Sequence, residues 1–289
     1  MQYVGTVIRP PSEANSIILQ VTVGCSHNKC TFCGAYKDLR FAVKDYDTIL
    51  QDIHFAADYC QRQNRLFLAD GDAMILPYTL LARIMEDIHR HLPWVNRVSM
   101  YANARSIRAK SDTELRHLKS SGVDRIYLGV ESGDDATLKA IKKEETSQSI
   151  KEACERIIDH GFFLSTTIIL GITGKKRSQI HAEKSAALLN EISPHQIGAL
   201  TYMPLANTSL GKEVANGSFQ LLSAREILAE LKTLIRNLSC KKTQFMANHA
   251  SNYLPITGRL PKDKMEFIDL ISQAEQGLVG LKSDLLRAL

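Results

Sequence analysis

Six apolar, β-branched strings alternate with helical patterns along residues 1–202 of this 289-residue chain, and that alternation leaves few folds open. The strings run 17–23, 65–69, 97–102, 125–130, 163–170 and 197–202. Between them, residues 48–61 place Ile49, Ile53, Ala56 and Cys60 on one helical face, and 79–91 do so with Leu80, Leu81, Ile84 and Ile88. Residues 111–120, 147–160 and 178–192 complete the series, and Gly122 and Gly161 stand where the third and fourth helices should stop. Strand–helix–strand units in strict succession build parallel sheets with right-handed crossovers. Six units are fewer than the eight of a closed barrel. The sequence therefore predicts an α/β fold, a partial (β/α)6 TIM-type barrel over residues 1–202, with a flat doubly wound sheet as the alternative. After Tyr202 come a Pro/Asn/Gly-rich loop, a helix at 224–238, a short strand at 243–247 and a last helix from about Asp263. We read residues 203–289 as a C-terminal helical cap on the same barrel.

Composition narrows the function. With 44% hydrophobic residues the chain can bury a sizeable core, which excludes disorder and a disulfide-stapled miniprotein. Thirty-six Lys+Arg against 31 Asp+Glu give a net charge of +5, too mild to signal a protein that coats nucleic acid. The opening MQYVGTVIRPPSEANS lacks the basic-then-apolar order of a signal peptide. The longest charge-free stretch, 192–211, holds Pro194, His195, Gln196, Pro204 and Asn207, so no membrane span is expected. These features predict a cytoplasmic protein.

Cys25, Cys30 and Cys33 crowd into the loop after the first strand, whereas Cys60, Cys154 and Cys240 are scattered. Such a pattern indicates metal chemistry in a reducing compartment. Three thiolates at gaps of four and two residues can fold round one face of a compact centre. Structural zinc takes four ligands, and so does a [4Fe–4S] cubane. With three, one position stays open for a substrate or cosubstrate. The spacing favours a catalytic iron–sulfur cluster; a zinc site with His27 as fourth ligand and a set of unligated thiols are the alternatives. Cys60 and Cys154, on the apolar faces of their helices, and Cys240, just after a helix, read as small buried hydrophobes.

The segment VTVGCSHNKCTFCGAYKD resembles the signature of the radical S-adenosylmethionine superfamily. That signature has three Cys after the first barrel strand, usually spaced three and two, with an aromatic residue before the third. Here the first gap is four residues, Ser26 to Lys29, and Phe32 takes the aromatic position, whose backbone would contact adenine. Asp70, Gly71 and Asp72 in FLADGDAM are similar to the family's Gly-Gly-Glu segment, which binds the methionine amino group. Glu131 and Ser132 in YLGVESGDD look like the ribose- and amino-acid-binding segment of the oxygen-independent coproporphyrinogen oxidase-like branch. Gly171 in IILGITG matches the central glycine of the segment that packs on adenine, although Gly174 stands where the family has a carboxylate. TYMPLANTSL, with Met203, resembles the loop that closes the adenine pocket. All five fall after successive predicted strands, where α/β barrels carry their chemistry.

Two further groups are candidate substrate contacts. Strand alternation puts Tyr101, Asn103 and Arg105 on one face near the rim, able to meet a carboxylate or to be a solvated turn. His249 and Asn252, in FMANHASNYLPITG, either line the open side of the barrel or plug its edge. Lys142–Lys143 and Lys175–Lys176–Arg177 read as solvated charges.

The resemblance implies a [4Fe–4S] cluster on Cys25, Cys30 and Cys33 with one iron left to chelate S-adenosylmethionine. Reductive cleavage would then give a 5′-deoxyadenosyl radical that abstracts hydrogen, under anaerobic conditions, from a small metabolite or cofactor precursor. An external donor of flavodoxin or ferredoxin type would supply the electron. Radical modification of a macromolecule such as tRNA or a carrier protein, and a non-catalytic iron–sulfur carrier on the same scaffold, are the alternative functions.

Overall fold

A computed structural model describes residues 1–288. Its first half runs β1 (Ile17–Gln20), β2 (Thr22–Val23), β3 (Ala42–Val43), α1 (Tyr46–Tyr59), β4 (Arg65–Ala69), α2 (Tyr78–His91), β5 (Arg97–Ala102), α3 (Ala104–Arg108), α4 (Asp112–Ser120) and β6 (Val123–Glu131). There follow α5 (Asp135–Ala140), α6 (Ser147–Asp159), β7 (Phe163–Leu170), α7 (Ser178–Ile192), β8 (Gln196–Thr201), α8 (Ser209–Ala215), α9 (Ala224–Asn237), β9 (Thr243–Met246), β10 (Thr257–Leu260) and α10 (Lys264–Glu275). The main sheet has eight strands in the order β1-β4-β5-β6-β7-β8-β9-β10, and β2 and β3 form a separate antiparallel ribbon. Among the described residues no helix is long and apolar enough to cross a membrane.

The first of two compact units comprises Met1–Asn28, Ala35–Leu128 and Ala153–Leu164. Here β1, β4, β5 and β6 pair in parallel, with Ile17 opposite Leu66, Leu66 opposite Val98 and Met100 opposite Ile126. Four of the five β4 residues are buried, because both faces of the strand are covered; hence its unbroken apolar string. Helix α1 buries Ile49, Ile53 and Ala56, and α2 buries Leu81, Ile84 and Ile88. Cys60 departs from the expected burial. It is the C-cap of α1, beyond the last full turn, and is partly exposed. Phe67, Tyr101 and Tyr127 meet edge to face at 5.1–6.1 Å, a preferred arrangement of aromatic quadrupoles.

Ser111 starts α4 with a capping box: its hydroxyl accepts the Glu114 N–H at 3.2 Å while Glu114 accepts the Ser111 N–H at 2.7 Å. Ser111→Ala should lower the unfolding free energy by about 1 kcal/mol. Ser120→Ala, at the other end of the helix, should change it by less than about 0.5 kcal/mol. Chemical denaturation measures both.

The second unit comprises Lys29–Gly34, Gly129–Glu152 and the chain from Ser165 onward. In it β7 pairs parallel with β8, Ser165 opposite Gln196 and Leu170 opposite Thr201, and β9 continues parallel from Gln196 opposite Gln244. β10 then returns antiparallel on β9. The C-terminal region thus extends the sheet by two strands instead of contributing one short strand. TGRL at β10 is mostly exposed and lacks apolar alternation, so nothing in its sequence announces a strand. Helix α9 buries Ile227, Leu228, Leu231, Leu234 and Ile235 and packs between α7 and α10.

Candidate active site

In the first unit, the β4-end segment Asp70-Gly71-Asp72 clasps the chain on both sides of Cys25. Asp70 Oδ2 accepts the Gly24 N–H at 3.1 Å and the Gln20 amide at 2.8 Å, and the Gly71 N–H donates to the Gly24 carbonyl at 3.2 Å. On the other side, Asp72 Oδ2 accepts the Ser26 hydroxyl at 2.6 Å. Gly24 has φ +78°, and a Cβ on Gly71 would sit 3.1 Å from the Cys25 Cβ and 2.8 Å from the Tyr36 ring, so glycine suits both positions.

Asp72 is fully buried, which raises its carboxyl above the usual range against the pull of its hydrogen bonds. Besides Ser26, Oδ2 accepts the Asn103 amide at 2.6 Å; Oδ1 accepts the Ser106 hydroxyl at 2.7 Å and, more weakly, the Asn103 N–H at 3.4 Å. Each oxygen already has two donors. Asp70 is also buried and raised by desolvation, and its Oδ1 has no hydrogen-bond partner among the described residues.

The alternation expected at strand three breaks at Asn103. Its side chain accepts the Ser106 N–H at 2.7 Å and caps α3, so the period changes from 2 to 3.6. Arg105 consequently lies exposed on α3, while Tyr101 packs on Phe67. The three residues do not share one face.

In the second unit, residues 29–34 are strapped from two directions. The Thr31 N–H donates to the Ile141 carbonyl at 2.9 Å, the Leu210 N–H donates to the Thr31 carbonyl at 3.0 Å, and the Asn207 amide donates to the Gly34 carbonyl at 3.0 Å. Cys30, Phe32 and Cys33 are partly exposed, as is Cys25. Cys154 and Cys240 are buried, as expected, with thiols pushed up to about 12 and about 11. Among the described residues no three His, Cys, Asp or Glu side chains converge as ligands of a single metal ion.

Glu131, at φ +66°, ends β6 and pairs with Lys143 at 3.0 Å. Lys143 is therefore half of a shielded ion pair and not a solvated charge. Arg177, likewise, is not solvent-facing only: with Lys184 it holds buried Asp134 at 2.7 and 2.9 Å, keeping that carboxyl far below its ordinary range. Ser132 is buried, with its Oγ 2.8 Å from His181 Nδ1. Gly171 turns with φ +77° and donates its N–H to Glu230 on α9 at 2.7 Å. Sequence reasoning missed His181 and Glu230. The available signal was polar residues on the apolar faces of α7 and α9, among Ala182, Leu189, Leu231 and Leu234.

Met203 lines a cavity of about 460 Å³ with Gly171, Tyr202, Pro204, Ile227 and Tyr253. Asn252 is buried against β8, where its Oδ1 accepts the Thr201 hydroxyl at 2.8 Å and its amide donates to the Ala199 carbonyl at 2.8 Å. Both ends of that side chain are engaged in pinning the loop. His249 Nδ1 accepts the Ser251 N–H at 3.1 Å, and burial lowers its imidazole.

Burial lifts the Glu230 carboxyl to about 7 and lowers the His181 imidazole to about 4. A raised carboxyl favours the fold below its ordinary 4.5 and loses that favour as pH climbs through 7. A lowered imidazole does the reverse and costs stability as pH falls from 6.5 towards 4. Relative to the parent, His181→Leu should therefore gain stability between pH 7.5 and pH 5, since the variant escapes the imidazole's acid cost. A stability difference independent of pH would contradict this; thermal denaturation at the two pH values measures it.

The radical SAM superfamily model matches residues 19–183, more than half of the chain. A curated relative, 4′-phospho-dehydrooxetanocin synthase of Priestia megaterium, is 26% identical over 249 residues, covering 74% of this chain and 33% of its own. Coproporphyrinogen III oxidase from Escherichia coli is similar in structure with a TM-score of 0.59 and 16% identity, covering 76% of this chain and 51% of that one. The radical S-adenosylmethionine methyltransferase TsrM from Kitasatospora setae, with cobalamin and a [4Fe–4S] cluster bound, has a TM-score of 0.57 and 14% identity over 70% of this chain and 39% of that one. This chain thus spans about a third of the curated relative and at most about half of these two structures. The likeness establishes the expected α/β fold of the partial TIM barrel type. The chain belongs to the radical SAM superfamily, for which a [4Fe–4S] cluster and S-adenosylmethionine are typical.

Proposed function

We propose that Cys25, Cys30 and Cys33 hold the cluster, and that the enzyme abstracts hydrogen from a small metabolite or cofactor precursor. The observation that carries the first part is the clasp on Cys25. Asp70 and Asp72 fix the residues on either side of it, and Gly71 lets β4 approach its Cβ. Three partly exposed Cys in one loop suit a cubane that needs one open iron. When bound, the cluster supplies the electron that splits S-adenosylmethionine into methionine and a 5′-deoxyadenosyl radical.

The protein's part is to bind, orient and shield. Glu131, held by Lys143, offers a carboxylate at the β6 rim to a ribose hydroxyl or an ammonium. Ser132, Gly171, Met203 and the Phe32 backbone would shape the remaining cosubstrate surface, and residues 203–289 would serve the 1–202 barrel by walling its cavity. That cavity of about 460 Å³ is lined by Tyr202, Met203, Leu222, Ile227 and Tyr253, and its size falls in the range of small-molecule sites. The name of the curated relative, a synthase of a phosphorylated small molecule, supports the same class. Tyr101, Asn103 and Arg105 are candidate substrate contacts, and so are His249 and Asn252 in the loop beside β8. A reductant of flavodoxin or ferredoxin type would deliver the electron in a reducing cytoplasm.

Anaerobic protein with a chemical reductant and S-adenosylmethionine should form 5′-deoxyadenosine. The low-mass fraction of a cell extract should accelerate that reaction, whereas tRNA or protein fractions should not. Acceleration by a macromolecular fraction alone would overturn the substrate class, and no 5′-deoxyadenosine at all would overturn the cluster assignment.

A further inference from the structure

Glu230 sits on α9, in the C-terminal region, yet it is bonded to the turn after β7. It is 2% exposed, and among the described residues no Lys or Arg pairs with it. Its Oε1 accepts the Gly171 N–H at 2.7 Å, and its Oε2 accepts the Ser178 hydroxyl at the start of α7. One helical turn earlier on the same face, Ile227 closes over Gly171 so tightly that a Cβ there would stand 2.7 Å from Ile227 Cδ1. His181 on α7, also buried, presents Nε2 to Glu230 Oε1 across 3.7 Å, while its Nδ1 meets the Ser132 hydroxyl at 2.8 Å and the Ser185 hydroxyl at 3.4 Å. The Ser132 oxygen also accepts the Asp134 N–H at 3.0 Å, and His181 Nε2, with no hydrogen-bond partner among the described residues, meets Glu230 by van der Waals contact. A buried carboxylate without a cationic partner is costly. A hydrophobic residue would pack α9 on α7 at least as well, so packing alone does not account for an acid at this position.

We propose that Glu230 and His181 are positioning residues that yoke the Gly171 turn to the Ser132 turn, making α9 a working part of the cosubstrate site. This rests on the reading above that those two turns receive S-adenosylmethionine. Glu230 supplies from α9 a carboxylate that aims the Gly171 backbone, and His181, packed against Glu230, holds the Ser132 hydroxyl. Neither side chain need touch the cosubstrate.

The test compares the anaerobically reconstituted enzyme with Glu230→Leu, Glu230→Gln and His181→Leu, reading iron content, Tm and S-adenosylmethionine affinity by equilibrium dialysis. Leucine keeps the volume and removes the buried charge, an exchange that is often neutral or stabilising. Iron content and Tm should therefore stay near those of the parent, while affinity for S-adenosylmethionine falls about tenfold or more. Glu230→Gln, whose amide oxygen still accepts the Gly171 N–H, should bind within about threefold of the parent. His181→Leu, which cuts the yoke at its Ser132 end, should weaken binding as Glu230→Leu does, and it decides the matter if Glu230→Leu does not accumulate. Parental affinity in either leucine variant would overturn the proposal, as would a loss of affinity that tracks loss of Tm and iron. A parent enzyme that binds no S-adenosylmethionine would instead overturn the reading on which the proposal rests.

Discussion

Iron and sulfide should fall from about four each per chain to background when Cys25, Cys30 or Cys33 is replaced by alanine, as a cubane held by three thiolates requires. Cys60→Ala, Cys154→Ala and Cys240→Ala should retain the full complement. The contrast rests on environment. Cys154 is sealed in the core with its thiol pushed up to about 12, and Cys240 donates to the Leu189 carbonyl at 3.3 Å with its thiol at about 11. Neither forms a thiolate readily, and thiolates are what iron binds. Cys60 caps α1, and burial raises its thiol too. Elemental analysis of anaerobically reconstituted protein decides the matter. Loss of iron in any of these last three variants would place a ligand outside the loop.

Asp72→Ala should be the most destabilising single change at the site, lowering the unfolding free energy by about 2–4 kcal/mol. It strands the Ser26 and Ser106 hydroxyls and the Asn103 amide, all of which converge on one buried carboxylate. Because Ser26 follows Cys25 directly, the variant should also lose iron faster on exposure to a chelator. Asp72→Asn keeps the shape but must turn a donor toward donors, so it should fall between the two. If Asp72→Ala keeps the parent Tm and iron but binds S-adenosylmethionine poorly, Asp72 is an amine ligand, as its motif position suggested, and not the clasp described above.

The contrast at Asp72 shows what the sequence could and could not reveal. Strand strings at 65–69, 97–102 and 163–170 coincide with β4, β5 and β7, because buried parallel strands are continuous apolar runs between helices with clear amphipathic stripes. The cysteine loop was legible for a related reason: three soft ligands within nine residues have few other uses. The clasp was not legible as a clasp. Asp72 meets Ser26, Asn103 and Ser106 across 31–46 residues of chain, and a motif names the carboxylate without naming its partners.

Short elements escaped for a different reason. Helix α3 spans five residues, too few for a 3.6-residue period to show, so strand alternation was carried past Ala102 and put Arg105 on the wrong face. Asn103 could have signalled the change, since Asn followed three residues later by Ser is a capping pattern. The C-terminal strands β9 and β10 are four residues each, and only the first has an apolar alternation to read. Glu230 and His181 are the converse case. They stand in helices that were predicted well, but a buried acid and a buried imidazole look like polar residues on a helix until their partners from other elements are known.

The central claim is that the Cys25 loop carries a cluster with one iron open to S-adenosylmethionine. Electron paramagnetic resonance of the reduced protein, recorded without and then with S-adenosylmethionine, tests it most directly. The account predicts a reduced [4Fe–4S] signal whose g-values change when S-adenosylmethionine is added, because the cosubstrate enters the coordination sphere of the open iron. A signal that S-adenosylmethionine leaves unchanged, or a protein that holds zinc in place of iron after anaerobic preparation, would contradict it.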